Sequence, residues 1–446
     1  MTSRELALNV VRDVFARERR PRGAHESFDY HAARSNLDAR DRAFAAELAY
    51  GSIKARRYLD WLLAPFVGKR VAQLPPTILE ILRLGAYQLA RMAVPTHAAV
   101  SETVGLAKRH GHRGTAGLVN AVLRRLAELD PERRTPARDA FASDDDFLGM
   151  LHSFPTWIVA DVRAAFGDAQ VGPVLQGMNE PPQAALRVNL LRATPDAALE
   201  VLRSRSIVAR RSDLVHEIIL IDGTSPEALA DTEHRWEQQG EIAAVPVDVL
   251  DPKPEMHGVE LCSGRGNKTL EIVGRTNDSG TLETIERDAH KVAHERTLMR
   301  DLGVRSVRVH EGDATRLEDA TADADFVLVD APCSGLGILG RQPEARWRKE
   351  PSDPERLASL QSDLLASGSQ RVRPGGRLVY SVCTFTPVET HERIEAFLRE
   401  HPDFSRAATA PKFAAWRQDA GDLRFPPGIE RRDGFFIALL ERRQSA

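Results

Sequence analysis

The most constraining feature of this 446-residue chain is a regular alternation of strand-like and helix-like segments from about residue 246 onward. Such alternation indicates a mostly parallel, doubly wound α/β sheet. Ligands of these sheets bind just outside the carboxyl ends of the strands, so residues there are the first functional candidates. The predicted strands are 258–261, 280–285, 304–309, 326–329, 377–382 and 435–440, and the last predicted helix is 387–399.

Residues before 246 do not show this alternation. A chain of this length is also too long for one hydrophobic core, so more than one domain is expected. Residues 1–140 space their apolar side chains three and four apart, which predicts an all-α bundle. Residues 147–245 mix helix and strand patterns and predict a small α+β module. Segments 131–136 and 143–146 are polar and are predicted to form a linker. We therefore predict three domains, the last spanning 246–446.

The distribution of charge predicts the kind of binding partner, and the cysteine content predicts the cellular compartment. Residues 1–140 hold 24 Lys and Arg against 15 Asp and Glu, a formal +9, whereas the whole chain carries −3. A basic helical domain on an acidic remainder predicts an anionic partner, with RNA the first candidate. Three cysteines form no disulfide framework, and apolar runs are short, so we expect a cytoplasmic protein without a membrane segment. A monomer is favoured.

The first strand of the C-terminal domain leads into a glycine-containing turn, which lets a nucleotide-like ligand approach the backbone. Glu286 ends the second strand and could accept both ribose hydroxyls, and Asp313 follows the third and could take an adenine amino group. Carboxylates at successive strand ends suit an adenosine ligand without phosphates, which favours S-adenosylmethionine over NAD. The turn comprises Cys262, Ser263, Gly264, Arg265, Gly266, Asn267 and Lys268.

A nucleoside triphosphate is the alternative ligand for this turn. Lys268 and Thr269, followed later by a strand ending in Asp330, partly match a phosphate-binding loop. That loop requires Gly-x-x-x-x-Gly-Lys-[Ser/Thr], but Asn267 and Cys262 occupy its two glycine positions. The pattern therefore disfavours an ATPase, and we expect no metal site.

Two of the three cysteines, Cys333 and Cys383, closely follow apolar predicted strands. Carbon 5 of a pyrimidine is not nucleophilic, but a thiolate added to carbon 6 makes it enamine-like and able to accept a methyl group. The scheme needs a nucleophilic thiol, a group near carbon 5 and an acid at the ring nitrogen. Cys383, Cys333 and Asp330 could fill these roles. Cys262 is predicted to be a small buried residue without a catalytic role.

Segments 330–335 and 380–383 closely resemble the NOL1/NOP2/Sun family of RNA cytosine-5 methyltransferases. The N-terminal part resembles the NusB-like RNA-binding domain that precedes the methyltransferase in members acting on small-subunit rRNA. The resemblance covers nearly the whole chain. It extends through 83–89, 117–126, 153–157, 187–189, 342–347, 360–362, 374–376 and 433–436.

The resemblance implies a role for each candidate. Cys383 would attack carbon 6 of cytosine, Cys333 would assist release of the product, and Asp330 would lie between cofactor and base. The glycine turn, with Glu286 and Asp313, would hold S-adenosylmethionine. The implied fold is a NusB-like bundle, an α+β linker module and a Rossmann-like class I methyltransferase, and the implied product is 5-methylcytosine in 16S rRNA.

The glycine turn differs from the sequence usual in the family, which is Cys-Ala-Ala-Pro-Gly-Gly-Lys-Thr. Ser263, Gly264, Arg265 and Asn267 replace four of those residues, and Glu286 stands where aspartate is usual. These changes leave open a non-catalytic RNA-binding ribosome-assembly factor. The same chemistry on tRNA is the other alternative.

Overall fold

The computed structural model describes residues 1–16, 21–68, 74–223, 229–316 and 324–444. The chain divides into two units. The first comprises Met1–Arg163 and Arg341–Lys349, and the second comprises Ala164–Gly340 and Glu350–Ala446. The three-domain division remains a prediction.

The first unit is helical throughout its described part, as the spacing of apolar residues predicts. Leu6, Leu48 and Leu82 are among the fully buried side chains of its core. Thr2 opens the first helix with a capping box, in which its hydroxyl accepts from the Glu5 amide. The helices are α1 (Ser3–Val14), α2 (Ala24–Ala32), α3 (Ala39–Lys54), α4 (Arg56–Val67), α5 (Pro76–Arg91), α6 (Thr96–His110), α7 (Arg113–Ala127), α8 (Asp144–Leu151) and α9 (Thr156–Phe166), the last of which continues past Arg163 into the second unit.

The prediction that 143–146 belongs to a linker is wrong, because α8 begins there. The Ser143 hydroxyl accepts a hydrogen bond from the Asp146 amide at 3.1 Å and caps the helix. Three aspartates in the first turn, beginning with Asp144, interact favourably with the positive end of the helix dipole and stabilise the helix. The acidic run therefore starts a helix.

The second unit begins with a four-stranded antiparallel sheet in the order β2-β3-β1-β4. The predicted helix over 195–204 is confirmed, but β2 and β4 were missed. β4 has three residues and β2 alternates between exposed and half-buried positions, so neither shows an apolar pattern. The elements are α10 (Asp168–Gly177), β1 (Ala184–Val188), α11 (Pro195–Ser204), β2 (Val208–Arg211), β3 (Ile218–Asp222), β4 (Trp236–Gln238) and α12 (Glu241–Leu250).

The larger sheet of this unit has the order β10-β12-β9-β8-β5-β6-β7, with β11 paired to β12. Its central strands are parallel, and β12 is antiparallel to β9. The strands are β5 (His257–Leu261), β6 (Thr281–Glu286), β7 (Val307–Glu311), β8 (Ala324–Asp330), β9 (Val372–Val382), β10 (Phe404–Arg406), β11 (Leu423–Phe425) and β12 (Phe435–Arg442). The helices are α13 (Asn267–Thr276), α14 (Ala289–Leu302), α15 (Ala345–Arg348), which belongs to the first unit, α16 (Asp353–Ser369) and α17 (His391–Glu400).

Strand order places a topological switch point between β5 and β8. The chain runs outward from β5 to β6 and β7, and then returns to the other side of β5 as β8. Both faces of β8 are covered, because Val327 and Val329 lie in one core cluster and Phe326 and Leu328 in another. The crevice at a switch point is where doubly wound sheets bind ligands.

The predicted helix over 387–399 is wrong in its first turn. Pro387–Glu389 form a separate 3-10 turn, and Thr390 leaves helical geometry with φ −117° and ψ −113°. The Thr390 hydroxyl donates to the Thr386 carbonyl at 2.8 Å and stabilises this break. The break leaves Glu389 fully buried.

Within the described ranges, no helix combines the length and the apolar character that crossing a membrane requires.

Candidate active site

The glycine turn connects β5 to α13 in left-handed backbone geometry. Cys262, Gly264 and Gly266 have φ of 62°, 66° and 84°. The Cys262 amide donates to the Ile285 carbonyl at 2.8 Å, which ties the turn to the end of β6. Among described residues beyond its chain neighbours, the atom nearest to a Cβ built on Gly264 is the Cys262 carbonyl oxygen at 3.9 Å. That side of the turn therefore has room for a ligand.

The carboxylates predicted for the cofactor follow adjacent parallel strands. Glu286 is buried at the end of β6 and accepts from the Gly264 amide at 3.1 Å. Asp313 is exposed beyond β7 and accepts from the Thr315 amide at 3.0 Å, a bond that lowers the pKa of Asp313. Glu286 pairs with Glu311 in register, so both carboxylates lie at the same edge of the sheet.

Two buried carboxyls that sequence reasoning missed, Glu260 and Glu295, form hydrogen bonds with side chains of the glycine turn and of the first turn of α13. The Ser263 hydroxyl donates to Glu295 at 2.7 Å, and the Thr269 hydroxyl lies 2.7 Å from Glu260 and 2.9 Å from Glu295. Burial, followed by the charge of Glu295, raises the pKa of Glu260 well above its usual range. Ser263, one of the departures from the family, therefore has a defined partner.

Asp330 and Lys268 form an ion pair at the switch point. The Lys268 ammonium donates to Asp330 Oδ2 at 2.6 Å, and the Ser381 hydroxyl donates to Asp330 Oδ1 at 2.6 Å. Burial lowers the pKa of Lys268, but the charge and hydrogen bond of Asp330, together with the charges of Glu260 and Cys383, raise it overall. Lys268 therefore keeps a proton close to Asp330.

The structure brings Cys333 and Cys383 together, with their Sγ atoms 3.3 Å apart. They follow β8 and β9, which are parallel neighbours with Asp330 opposite Ser381. The hydrogen bond to Cys383, followed by burial, raises the pKa of Cys333 well above its usual range. Cys333 is therefore a protonated thiol that can donate its hydrogen bond to Cys383 Sγ.

The third cysteine, Cys262, has a thiol that is unsuited to nucleophilic chemistry. Burial, followed by the charges of Glu286 and Asp330, raises the pKa of Cys262 to about 12. Its thiol is therefore protonated at neutral pH and unsuited to nucleophilic attack. Cys262 forms part of the turn through its backbone.

Buried polar side chains surround the paired cysteines, and sequence reasoning gave them no role. Glu389 accepts hydrogen bonds from the Ser334 amide at 2.8 Å and from Gln361 at 3.0 Å. The only signal was a carboxylate six residues after Cys383, within the first turn of the helix predicted over 387–399. Its burial depends on the 3-10 turn.

Family models match three consecutive parts of the chain. The 16S rRNA methyltransferase RsmB/F model matches residues 247–441, and the NusB family model matches residues 1–128. The Methyltr_RsmF/B-like, ferredoxin-like domain model matches residues 154–226. These matches confirm the predicted fold class of a NusB-like bundle, an α+β module and a C-terminal methyltransferase domain.

Relatives with similar sequences span the same length. A probable ribosomal RNA small subunit methyltransferase B from Synechocystis is 30% identical, covering 99% of this chain and 100% of the relative. One from Bacillus subtilis is also 30% identical over 92% of each chain. The ribosomal RNA small subunit methyltransferase B of Yersinia pseudotuberculosis is 28% identical over 91% of each.

Solved structures share the fold. The crystal structure of PH0851 is 22% identical, covers 99% of both chains and has a TM-score of 0.82. NSun6 from Pyrococcus horikoshii with SFG is 19% identical, covers 66% of this chain and all of its own, and has a TM-score of 0.59.

Proposed function

Because the chain belongs to the ribosomal RNA small subunit methyltransferase B family, we propose that it forms 5-methylcytosine in 16S rRNA through a Cys383 adduct. Family membership confirms the predicted resemblance and makes the protein an enzyme, an S-adenosylmethionine-dependent RNA methyltransferase. The observation that carries the cytosine chemistry is the 3.3 Å contact between Cys333 Sγ and Cys383 Sγ. A single thiol would suffice for addition, whereas a second supports release.

Two of the proposed cofactor carboxylates are bonded to the glycine turn, because Glu286 accepts from the Gly264 amide and Asp330 accepts from Lys268. Glu286 would accept the ribose hydroxyls and Asp313 would contact the adenine amino group, while Asp330 would lie between cofactor and base. When bound, S-adenosylmethionine supplies an electrophilic methyl group. The turn residues proposed to contact it are Cys262, Ser263, Gly264, Arg265, Gly266, Asn267 and Lys268.

Addition to the base is the first proposed step. With its thiol protonated, Cys333 can donate a hydrogen bond to Cys383 Sγ, which would stabilise negative charge developing on that sulfur. The Cys383 thiolate adds to carbon 6 of cytosine, and carbon 5 becomes nucleophilic. Asp330 would contact the ring nitrogen, with the Lys268 ammonium 2.6 Å from its Oδ2.

Release of the methylated base is the second proposed step. The proton on carbon 5 passes to solvent water, and the electrons of that bond re-form the double bond between carbons 5 and 6. The bond between carbon 6 and sulfur breaks at the same time, and Cys383 departs as a thiolate. Cys333 lies within hydrogen-bond distance of that leaving sulfur. Its thiol would stabilise the departing charge, which is how it would assist release.

The substrate assignment rests on family membership and charge. The relatives act on small-subunit rRNA by name, and residues 1–140 carry a formal +9. We propose that this domain, taken as 1–140, binds RNA backbone, that 147–245 links it to the methyltransferase domain at 246–446, and that the target cytosine is single-stranded or flipped. Three free cysteines support the proposed cytoplasmic location, and we propose a monomer.

Transfer of labelled methyl groups tests the proposal. We expect label at one cytosine of unmodified 16S rRNA, no transfer with Cys383→Ala, and a covalent protein–RNA adduct on a denaturing gel with Cys333→Ala. Cys383→Ala removes the nucleophile, whereas Cys333→Ala slows only release. Calorimetric titration with S-adenosylmethionine checks that both variants still bind the cofactor.

Three outcomes would contradict parts of this proposal. Transfer by Cys383→Ala would overturn the nucleophile, and the absence of an adduct with Cys333→Ala would overturn the division of roles. Label on tRNA but not on rRNA or partly assembled small subunits would move the substrate to tRNA.

A further inference from the structure

Glu389 is a fully buried carboxylate next to both cysteine-bearing loops. Its Oε1 accepts from the Ser334 amide at 2.8 Å, and its Oε2 accepts from the Ser334 hydroxyl and from the Thr386 hydroxyl at 2.8 Å. A buried charge is costly unless hydrogen bonds satisfy it, so these donors are bound firmly to it. Ser334 directly follows Cys333 in the chain.

The same network reaches the loop of Cys383. The Ser334 and Thr384 hydroxyl oxygens are 2.7 Å apart, and Thr384 directly follows Cys383. One carboxylate therefore holds both residues that follow the two cysteines, Ser334 directly and Thr384 through the Ser334 hydroxyl.

Gln361 of α16 anchors the other side of Cys333. Its Nε2 donates to Glu389 Oε1 at 3.0 Å and lies 2.9 Å from the Pro332 carbonyl oxygen. Pro332 and Ser334, the two chain neighbours of Cys333, are thus attached to the same buried group. The Tyr380 hydroxyl of β9 donates to the Glu389 carbonyl at 2.7 Å and ties the turn itself to the sheet.

We propose that Glu389 is a positioning residue for the methyl transfer, which holds the Cys333 and Cys383 sulfurs at the separation that addition and release require. This inference rests on the proposed roles of the two cysteines. Glu389 would not touch the base or the cofactor. It acts through Ser334 and Thr384, whose positions set those of the thiols.

A charge so close to a thiol also has an electrostatic consequence. The pKa of Cys333 is raised by its hydrogen bond to Cys383, by burial and by the charges of Cys383 and Glu389. Neutralising Glu389 removes one of the causes that raise this pKa. Cys333 would then lose its proton at a lower pH.

Glu389→Gln tests the proposal by two readouts. We expect kcat to fall on the order of 10- to 100-fold because the thiols lose their alignment, with the KM for S-adenosylmethionine little changed. In a Cys383→Ala background, alkylation of Cys333 by iodoacetamide, followed by peptide mass spectrometry, should begin at a lower pH when Glu389→Gln is added. A purely structural role would not move that pH profile.

Glu271→Gln is the matched control, because Glu271 is another buried carboxylate of the same unit. Burial raises the pKa of Glu271 to about 8, so glutamine resembles its neutral form, and kcat and the Cys333 profile should stay as in the wild type. An unchanged kcat and an unchanged profile in Glu389→Gln would overturn the proposal.

Ser334→Ala covers the case in which Glu389→Gln does not fold. It removes the hydroxyl link between Glu389 and Thr384 without changing a buried charge, so the fall in kcat should persist. Wild-type kcat in Ser334→Ala would then overturn the proposal. Failure of the underlying chemistry is distinguishable, because Cys383→Ala would then remain active.

Discussion

At the scale of single residues, the surroundings raise the pKa values of two of the three thiols, Cys262 and Cys333. The pKa of Cys262 is raised to about 12 by burial and by Glu286 and Asp330, so its thiolate forms only at strongly alkaline pH. We expect negligible alkylation of Cys262 by iodoacetamide at pH 8 in the folded protein, measured by peptide mass spectrometry, because the thiolate is the reacting form.

The unfolded protein is the control for this prediction. In urea the Cys262 thiol regains an ordinary pKa of about 8.5, and we expect rapid alkylation at pH 8. Equal labelling rates in the folded and unfolded protein would show that the surroundings of Cys262 do not hold its proton.

At the scale of elements, the junction of the glycine turn with α13 depends on Gly266. This residue has φ 84°, and a Cβ there would lie 2.9 Å from Glu295 Cγ. Gly266→Ala should lower the free energy of unfolding by about 1–2 kcal/mol through its left-handed backbone. It should also weaken S-adenosylmethionine binding, because Glu295 must move and it holds Ser263. Urea unfolding and calorimetry measure the two effects.

Gly303→Ala separates backbone strain from the disturbance of the turn. Gly303 ends α14 with φ 74°, and a Cβ there would meet no described atom within 4 Å. We expect a similar loss of stability but unchanged cofactor affinity. Equal cofactor affinity in both variants would mean that Glu295 does not shape the turn.

At the scale of the whole molecule, charge is divided along the chain, and the formal +9 of residues 1–140 contrasts with a total of −3. Lys108 near the end of α6 and Arg113 at the start of α7 are both exposed. Replacing both with glutamine should weaken RNA binding and reduce the slope of log K against log salt by about 0.7–0.9 for each lost phosphate contact. Binding titrations over a salt series measure this.

Arg203→Gln provides the comparison. Arg203 is also exposed but lies on α11 of the second unit, next to Glu200. Its replacement should leave the salt slope unchanged. If Arg203→Gln and the double variant reduce the slope equally, the basic N-terminal segment does not supply the phosphate contacts to RNA.

Much of the architecture was predictable because it follows local periodicity. The helices of the first unit and the long central strands have regularly spaced apolar residues, and this spacing predicts them without knowledge of the tertiary structure. β2 and β4 lack that spacing, and the acidic run at 143–146 was misassigned because its cap depends on one hydroxyl. Short elements depend on neighbours that a local pattern does not contain.

The sequence by itself determined the apolar helices, the long central strands and the placement of Cys262, Asp330, Cys333 and Cys383 near strand ends, because these follow from patterns along the chain. Tertiary structure alone decided that the pKa values of Cys262 and Cys333 are raised, since these values depend on burial and on charges distant in sequence. It also decided that Glu389 faces inward toward the paired thiols. Electrostatic effects act through space, and no spacing of residues along a chain encodes them.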